Sequence, residues 1–322
     1  MAKRALLVGI DEYDAPEVPA LTGCVADATE MAAALGRNDD NSVNFECRLL
    51  TSPGPDAITR AYLRQQWRDL FQDFRDDVLF YFSGHGSPSD IGGFLVTQEG
   101  VPGDPGLLMD EVINLANNST ARTVLIILDC CFSGLAGNPA ALGGIENRAL
   151  LREGVTILAA SRPTEAAVEV GGHGVFTNLV LGALRGGAAD VRGRVSAASI
   201  YAYAEAALGS WDQRPLYKSH AEHLEPVRLC TPRVSDALLR ELVAFFPDAD
   251  ARYQLDMTYE ETNGAAVAAH VAIFRKFKQY QIGGLLQPTV GHDLYWTAER
   301  SESVVLTELG KFYHTLVSRG RI

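Results

Sequence analysis

Two side chains that suit a thiol nucleophile and its base follow two strongly apolar segments of the sequence. His85 lies in residues 83–86 (Ser-Gly-His-Gly), directly after the apolar run at residues 78–82. Cys131 lies in residues 129–134 (Asp-Cys-Cys-Phe-Ser-Gly), directly after a second apolar run. A thiol attacks a carbonyl carbon as the thiolate, and a nearby histidine lowers the thiol pKa from its ordinary value of about 8.5. The pair therefore predicts nucleophilic catalysis in which Cys131 attacks and His85 is the general base.

Each of these residues by itself has a simpler explanation. A single cysteine at a strand end is usually a small buried apolar side chain, and a single histidine usually makes a structural hydrogen bond. Catalysis is favoured because both stand in glycine-containing turns, with His85 46 positions before Cys131. Glycine permits unusual backbone dihedral angles and the close approach of a ligand. We expect the backbone N–H groups of Gly86 and Cys131 to stabilise a developing oxyanion.

The two turns require a sheet that brings its strand ends together. Short apolar runs alternate with helical patterns over roughly the first 230 residues, which predicts a three-layer α/β/α sandwich with a mostly parallel sheet. The predicted strands cover residues 5–10, 46–51, 78–82, 123–129, 155–161 and 225–229. The predicted helices cover residues 27–35, 57–74, 109–117, 176–184 and 197–208. Ligands bind beyond the carboxyl ends of the strands in such sheets, which is where His85 and Cys131 stand.

A change of pattern near residue 232 predicts two domains, residues 1–232 and residues 233–322. The predicted elements of the second domain are helices at 235–246, 265–279 and 308–318 and short strands at 294–298 and 303–307. Helices followed by a hairpin and a last helix predict a small winged-helix-like α+β module. From residue 234 onward there are nine Lys and Arg against eleven Asp and Glu, whereas DNA-reading winged helices usually carry a basic face. We therefore expect a regulatory or protein-interaction module.

Composition and charge exclude several classes of protein. The chain has 322 residues, 47% hydrophobic and 21% charged, which is typical of a globular protein. No apolar run approaches the roughly 20 residues of a membrane-spanning helix, and the first residues lack the pattern of a signal peptide. The net charge of −12 disfavours a nucleic-acid partner. Five cysteines without regular spacing indicate reduced thiols in the cytoplasm and no zinc site.

The two turns resemble the catalytic motifs of the caspase-like cysteine peptidases, and within them the metacaspases and their bacterial relatives. Residues 83–86 resemble the family's His motif, and residues 129–134 resemble its Asp-x-Cys-x-Ser-Gly nucleophile motif. Weaker similarity includes residues 21–28 and 174–177 and extends to about residue 230. The resemblance implies a caspase-like fold and a cysteine endopeptidase that acts on proteins or peptides without a cofactor. It also implies that Cys131 is the nucleophile.

The resemblance further implies a preference for Arg or Lys before the cleaved bond. Metacaspases bind that side chain with acidic residues, and the matching positions are Asp27 and Asp129, with Cys24 and Ser83 as further lining. A carboxylate pairs with a guanidinium through charge-assisted hydrogen bonds. If the family resemblance is set aside, Asp27 is better explained as an acidic residue that stabilises the start of a helix. Asp129 ends an apolar strand, where an unpaired charge is costly.

The chain also departs from the family's patterns. Residues 129–134 lack the Gln-Ala-Cys-Arg-Gly sequence of true caspases, so cleavage after Asp is not assumed. Phe132 stands where metacaspases usually have His. An Asp-selective protease is one alternative, which needs a basic pocket. A catalytically silent caspase-like scaffold is the other, and the presence of both His85 and Cys131 counts against it.

The sequence leaves self-cleavage, calcium and regulation open. The linker before residue 155 contains Arg148 and Arg152, which suit cleavage by an Arg-selective enzyme but are equally explained as solvated loop charges. Calcium activates many metacaspases; Asp90, Asp104 and Asp110 supply oxygen atoms but form no recognisable calcium loop. Bacterial relatives often carry attached modules, sometimes in defence or cell-death systems. The C-terminal module therefore implies an upstream sensor or regulatory protein as partner.

Overall fold

The computed structural model describes residues 2–90, 92–130, 151–160, 169–170, 173–208, 215–221 and 225–322. The chain divides into two compact units. The first consists of Met1–Ala189 and Arg194–Cys230, and the second consists of Asp190–Gly193 and Thr231–Ile322. Among the described residues, no helix has the length and apolar character needed to cross a membrane.

The first unit alternates strands and helices along the chain. Its strands are β1 (Lys3–Ile10), β2 (Glu46–Ser52), β3 (Asp77–Ser83), β4 (Gly86–Ser89), β5 (Gly92–Val101), β6 (Asp104–Leu108), β7 (Thr123–Asp129), β8 (Val155–Ala159), β9 (Glu169–Val170), β10 (His173–Gly174), β11 (Arg194–Val195), β12 (Leu216–His220) and β13 (Arg228–Leu229). Its helices are α1 (Cys24–Gly36), α2 (Arg60–Phe71), α3 (Met109–Asn118), α4 (Val175–Gly182) and α5 (Ala197–Leu208), with a π-helical turn at Ala183–Gly187.

A six-stranded sheet lies at the centre of this unit, in the order β12-β8-β7-β3-β1-β2. Five strands run parallel, and β12 pairs antiparallel with β8 at one edge. Helices cover both faces, which explains why β3 is buried along its whole length. The core on one face of the sheet is covered by α2 and α3 and includes Trp67 and Phe80. The core on the other face is covered by α1, α4 and α5 and includes Tyr81. The predicted sandwich with a mostly parallel sheet is confirmed.

Two features of this unit differ from the sequence prediction. Residues 225–229 do not form a strand of the central sheet; Arg228–Leu229 pairs with Arg194–Val195 in a separate two-stranded sheet. The sixth strand is Leu216–His220, whose half-exposed, mostly polar residues at the sheet edge give no apolar run to recognise. An antiparallel sheet of β4, β5 and β6 follows His85 and was not predicted, because its strands are rich in glycine and proline, which are usually rare in strands.

The second unit is a small α+β unit. Its elements are α6 (Asp236–Arg240), α7 (Leu242–Phe245), β14 (Arg252–Gln254), a 3₁₀ turn (Met257–Tyr259), α8 (Ala268–Ile282), β15 (Leu286–Pro288), α9 (Leu294–Glu299), β16 (Ser303–Leu306) and α10 (Glu308–Ser318). β14, β16 and β15 form an antiparallel sheet in that order. Its core contains the aromatic residues Phe246, Phe274, Phe277 and Tyr280.

The predicted strand at residues 294–298 is wrong, because Leu294–Glu299 is a helix. Asp293 Oδ1 accepts hydrogen bonds from the backbone N–H groups of Tyr295 (2.7 Å) and Trp296 (3.4 Å), which is an N-cap. The strand that pairs with β16 is instead β15. The predicted helix at residues 235–246 is divided into two short helices. A winged-helix arrangement therefore stays a prediction.

Candidate active site

The carboxyl ends of three neighbouring strands lie side by side and carry the candidate residues. In the sheet register, Ser83 at the end of β3 pairs with Gly9 of β1 on one side and with Asp129 of β7 on the other. The amide of Gly84 donates to the carbonyl oxygen of Asp129 at 3.4 Å, one step beyond the last pair. His85 therefore follows the end of β3 by the same two positions as Cys131 follows the end of β7.

Cys131 and Arg148 lie outside the described residues. Cys130, which directly precedes Cys131 in the chain, is fully buried at the end of β7. Cys130 belongs to the core cluster on the α2 and α3 face of the sheet.

His85 is held at both its backbone and its ring. Its backbone N–H donates to Tyr13 Oη at 2.8 Å, and its ring Nε2 lies 2.7 Å from the carbonyl oxygen of Pro19. Because a carbonyl oxygen can only accept a hydrogen bond, Nε2 carries the hydrogen and donates. Nδ1 is then the unprotonated nitrogen of the neutral ring. The geometry thus makes Nδ1 the atom that can accept a proton.

Tyr13 supports the turn that carries His85. Its hydroxyl donates to the carbonyl oxygen of Ile10 at 3.3 Å and accepts from the amide of His85, and the two rings are 5.0 Å apart and tilted by 41°. Burial raises the pKa of the Tyr13 phenol far above its usual value, so it stays neutral and can both donate and accept. A Cβ at Gly84 would lie 2.9 Å from Phe82 Cζ and 3.0 Å from Tyr13 Oη. The glycine before His85 is therefore required for this close approach.

The two predicted pocket carboxylates meet at Gly174. Asp27, in α1, is 1% exposed, and Asp129, at the end of β7, is 6% exposed. Asp27 Oδ2 accepts a hydrogen bond from the amide of Gly174 at 3.0 Å. A Cβ at Gly174 would lie 2.2 Å from Asp129 Oδ2 and 3.2 Å from Asp27 Oδ2. The structure thus brings together two acidic residues that are about 100 positions apart in the sequence.

The start of α4 explains how two buried carboxylates are tolerated. Asp129 Oδ2 accepts from the backbone N–H of Thr177 at 3.1 Å and from its hydroxyl at 2.6 Å. Gly174, whose amide binds Asp27, is the residue that caps α4. The N-terminus of a helix carries unsatisfied N–H groups and a partial positive charge, both of which stabilise anions. A buried carboxylate that accepts such bonds avoids much of the cost of desolvation.

Ser83 and Cys24, the other predicted lining residues, are both buried. Ser83 lies at the end of β3 beside Asp129. Cys24 is the first residue of α1, and its amide donates to Asp11 Oδ1 at 2.8 Å. A Cβ at Gly9 would lie 2.2 Å from the carbonyl oxygen of Cys24, so the start of α1 packs directly on the end of β1. Gly86 is the first residue of β4 and pairs with Leu95.

A comparison with known protein families identifies the family of this chain. The family model described as the caspase domain matches residues 2–223, which is more than half of the chain. This chain belongs to the caspase-domain family. It is therefore a cysteine-type peptidase, a hydrolase whose substrates are proteins, and the predicted family is confirmed.

Solved structures share the fold of this caspase domain. The crystal structure of protein GSU0716 from Geobacter sulfurreducens is similar with a TM-score of 0.53 and 17% sequence identity. The similar region covers 71% of this chain and 100% of that chain. At this identity the likeness shows the fold alone. Among the curated proteins, no match is found.

Arg152, a candidate for self-cleavage, is bound at the carboxyl end of α3 of the caspase domain. Its guanidinium donates to the carbonyl oxygens of Ala116 at 3.0 Å and Ala121 at 2.6 Å, and to the hydroxyl of Ser119 at 3.0 Å. Burial lowers the pKa of this guanidinium from its usual value. The structure does not bring Arg152 to the carboxylates at Gly174. Cleavage after Arg152 would require these bonds to break first.

The acidic residues considered for calcium do not form a site in the described part of the caspase domain. Asp104 is ion-paired with Arg60, and Asp90 is exposed after β4. Asp110 lies in the first turn of α3. Among the described residues, no group of three or more His, Cys, Asp or Glu side chains is arranged to hold a metal ion. Calcium activation stays open.

Several residues of the caspase-domain site were not identified from the sequence. They are Asp11, Pro19, Tyr81, Gly174 and Thr177. Asp11 directly follows the carboxyl end of β1, which is a signal that was available. Pro19 and Gly174 contribute backbone atoms, and backbone contacts leave no mark in residue type. Thr177 was part of the family resemblance, but nothing in the sequence assigned it a contact.

If His85 is the general base, removing the hydroxyl of Tyr13 should lower the turnover rate more than it weakens substrate binding. Tyr13→Phe deletes the acceptor of the His85 amide, and one such hydrogen bond changes a rate by about three- to tenfold. We expect kcat to fall by that factor with little change in KM, measured by steady-state hydrolysis of the best peptide substrate. Tyr295→Phe, at a partly exposed position in α9, is the matched control. An unchanged kcat in Tyr13→Phe would show that the hydroxyl does not position His85.

Proposed function

We propose that this caspase-domain peptidase cleaves proteins after Arg or Lys, with Cys131 as nucleophile and His85 as general base. The observation that carries the proposal is the pair of buried carboxylates, Asp27 and Asp129, at Gly174. These carboxylates lie at the same sheet edge as the turn that presents His85. A deep acidic site beside a nucleophile and its base suits a substrate with a basic side chain before the cleaved bond.

The orientation of His85 supports a definite order of proton transfers. Nδ1 takes the proton of the Cys131 thiol, and the thiolate attacks the carbonyl carbon of the substrate. The backbone N–H groups of Gly86 and Cys131 stabilise the oxyanion of the tetrahedral intermediate. The imidazolium then gives its proton to the leaving amine, and a thioester remains on Cys131. Water attacks the thioester with His85 again as base, which releases the new carboxyl end and restores the thiol.

The hydrogen bond to Pro19 supports the charged form of His85 during this cycle. A carbonyl oxygen that accepts from Nε2–H stabilises the imidazolium, because the positive ring is the stronger donor. The same bond fixes the tautomer of the neutral ring, in which Nδ1 carries no hydrogen. Tyr13 fixes the backbone of His85 and leaves its ring free to exchange the proton. Pro19 and Tyr13 thus position the base.

The pocket chemistry favours a cationic substrate over the alternatives. Asp27 and Asp129 would repel a substrate carboxylate, which counts against cleavage after Asp. A scaffold that only binds partners has no chemical need for an oriented histidine directly before Gly86, a proposed oxyanion donor. Cys24 and Ser83 complete the proposed lining. A guanidinium is a particularly good fit, since it can donate two parallel hydrogen bonds to one carboxylate.

The second unit is proposed to regulate the peptidase through a protein partner. Trp296 and Phe312 are 53% and 56% exposed on its surface, and large exposed aromatic side chains are typical of interaction sites. The partner would be an upstream sensor or regulator, and a role in bacterial defence or cell death fits such an arrangement. Self-cleavage in the linker would occur after Arg148 or Arg152.

A peptide panel tests the proposed function directly. Fluorogenic peptides with Arg, Lys, Asp or Leu before the cleaved bond are incubated with the parent chain and with Cys131→Ala, and their hydrolysis is measured. We expect cleavage of the Arg and Lys peptides alone, and its loss in Cys131→Ala. Cleavage of the Asp peptide would support the Asp-selective alternative. Activity that survives in Cys131→Ala would mean that another residue is the nucleophile. Silence on every peptide would leave two interpretations, a zymogen that awaits its partner or a catalytically silent scaffold.

A further inference from the structure

A chain of buried hydroxyl groups leads from β3 to the carboxylate of Asp129. Tyr81 and Thr177 are both fully buried, and Tyr81 Oη lies 2.6 Å from Thr177 Oγ1. Thr177 Oγ1 lies 2.6 Å from Asp129 Oδ2. Ser83, two residues after Tyr81 and therefore on the same face of the sheet, is also buried. Three side chains from β3, α4 and β7 thus form one polar network inside an apolar core.

The chemistry of the acceptor fixes the direction of every bond in this network. Asp129 Oδ2 accepts from both the amide and the hydroxyl of Thr177, so it carries no proton. The single hydroxyl hydrogen of Thr177 is used in that bond, and Tyr81 must therefore donate its own hydrogen to Thr177 Oγ1. All the donors point towards the carboxylate.

The surroundings of the network keep the phenol neutral. Burial, followed by the charges of Asp129 and Asp27, raises the pKa of Tyr81 well above its usual value. A neutral phenol retains the hydrogen that it donates to Thr177. Among the described residues, Asp27 from α1 and Tyr81 from β3 are titratable groups close to Asp129. The network therefore keeps its direction as long as Asp129 is ionised.

We propose that Thr177 and Tyr81 are positioning residues for substrate specificity: they hold the Asp129 carboxylate charged and in one orientation, and so set the preference for a cationic side chain over a neutral one of the same shape. This inference rests on the proposed function, in which Asp129 binds the basic side chain. Hydrogen bonds donated to a carboxylate stabilise its charged form, and inside a protein they are stronger than in water. Thr177 touches Asp129 and acts on the substrate through it.

A structural role alone would predict a different outcome. If the bonds from Thr177 only capped α4, their loss would lower the stability of the fold and leave the discrimination between charged and neutral side chains unchanged. If they position Asp129, discrimination falls even in a variant that is as stable as the parent. The ratio of two binding constants separates these cases, because a general loss of fold weakens both peptides equally.

The experiment measures binding to the full chain with Cys131→Ala, so that no cleavage occurs. Two peptides are compared by calorimetry: one has Arg before the scissile bond, and the other has citrulline, which is neutral and nearly the same shape. We expect the Arg peptide to bind at least about tenfold more tightly. Thr177→Val should reduce this ratio by about three- to tenfold, and Tyr81→Phe should reduce it by a smaller factor in the same direction.

Matched variants complete the test. Thr177→Ser keeps the hydroxyl and should keep the ratio. In an Asp129→Asn background, Thr177→Val should cause no further change, because the two residues act through one interaction. Thermal unfolding of each variant tests whether it folds. If Thr177→Val does not fold, the ratio measured for Tyr81→Phe tests the positioning role instead.

The outcomes distinguish the inference from the function on which it rests. A parent chain without a preference for Arg overturns both. A preference that is lost in Asp129→Asn but unchanged in Thr177→Val and Tyr81→Phe overturns the positioning role and leaves the proposed function intact. A preference that persists in Asp129→Asn removes the pocket role of Asp129, and the positioning role with it.

Discussion

Replacing His85 with alanine should lower kcat/KM for an Arg peptide by about 10²–10⁴-fold, the range that a positioned general base contributes. The ring is anchored by the carbonyl oxygen of Pro19 and its backbone by Tyr13, so Nδ1 is held as the proton acceptor. Without the imidazole of His85, the thiol of Cys131 has no nearby base to accept its proton. We expect most of the loss in kcat, measured by steady-state hydrolysis with active-site titration of the enzyme.

Thiol alkylation gives an independent readout for the same variant. In the parent, the rate of reaction with iodoacetamide should remain high near neutral pH. In His85→Ala it should rise only near the ordinary thiol pKa of about 8.5. The matched control is His292→Ala, at an exposed position of the second unit, which should leave both rates unchanged. Hydrolysis within about threefold of the parent in His85→Ala would exclude His85 as the general base.

The sequence predicted the centre of the fold well because its strands are buried on both faces. β7 was predicted with the bounds that the structure shows, and β3 to within one residue at each end. A short apolar run of this kind, with a helical pattern on each side of it, is readily assigned to a buried strand. The edge strand β12 carries no such run, since Tyr217, Lys218 and Ser219 are half-buried or exposed. Edge strands need less apolar surface, and their pattern is correspondingly weak.

The candidate site was predictable where it depends on reactive side chains. His85 stands out because a histidine is unusual in a glycine turn after a buried strand. Pro19 could not be found in this way, because its contribution is a carbonyl oxygen that any residue would supply. Gly174 contributes an amide and the absence of a side chain, and both become meaningful once Asp27 and Asp129 are known to lie beside it.

In the proposed acidic pocket, one helix start would serve both stability and specificity. The first turn of α4 supplies amide donors to the carboxylates of Asp27 and Asp129. These donors reduce the cost of burying the charges before any substrate binds. In the proposed function, a cationic side chain would gain from the charge of these acceptor groups. A pocket built in this way is organised in advance, which lowers the entropy that substrate binding must overcome.

Asp129→Asn should reduce kcat/KM for Arg and Lys peptides by about 10- to 100-fold, because a charge-assisted bond is replaced by a neutral one. Asparagine keeps an oxygen that accepts from Thr177, so the cap of α4 is largely preserved and the change isolates the charge. Since uniform binding energy is lost, we expect most of the effect in KM. The measurement is steady-state hydrolysis of the Arg, Lys and Leu peptides by each variant.

Two comparisons make this result specific to the pocket. Asp90→Asn, at an exposed position after β4, removes the same charge from the chain and should leave kcat/KM unchanged, which excludes a long-range effect of net charge. Asp27→Asn should resemble Asp129→Asn if both carboxylates contact the substrate, and should have little effect if Asp27 only binds the amide of Gly174. Cleavage of the Arg peptide by Asp129→Asn at the parent rate would contradict the acidic pocket, because the buried carboxylate at the end of β7 would then contribute nothing to selectivity.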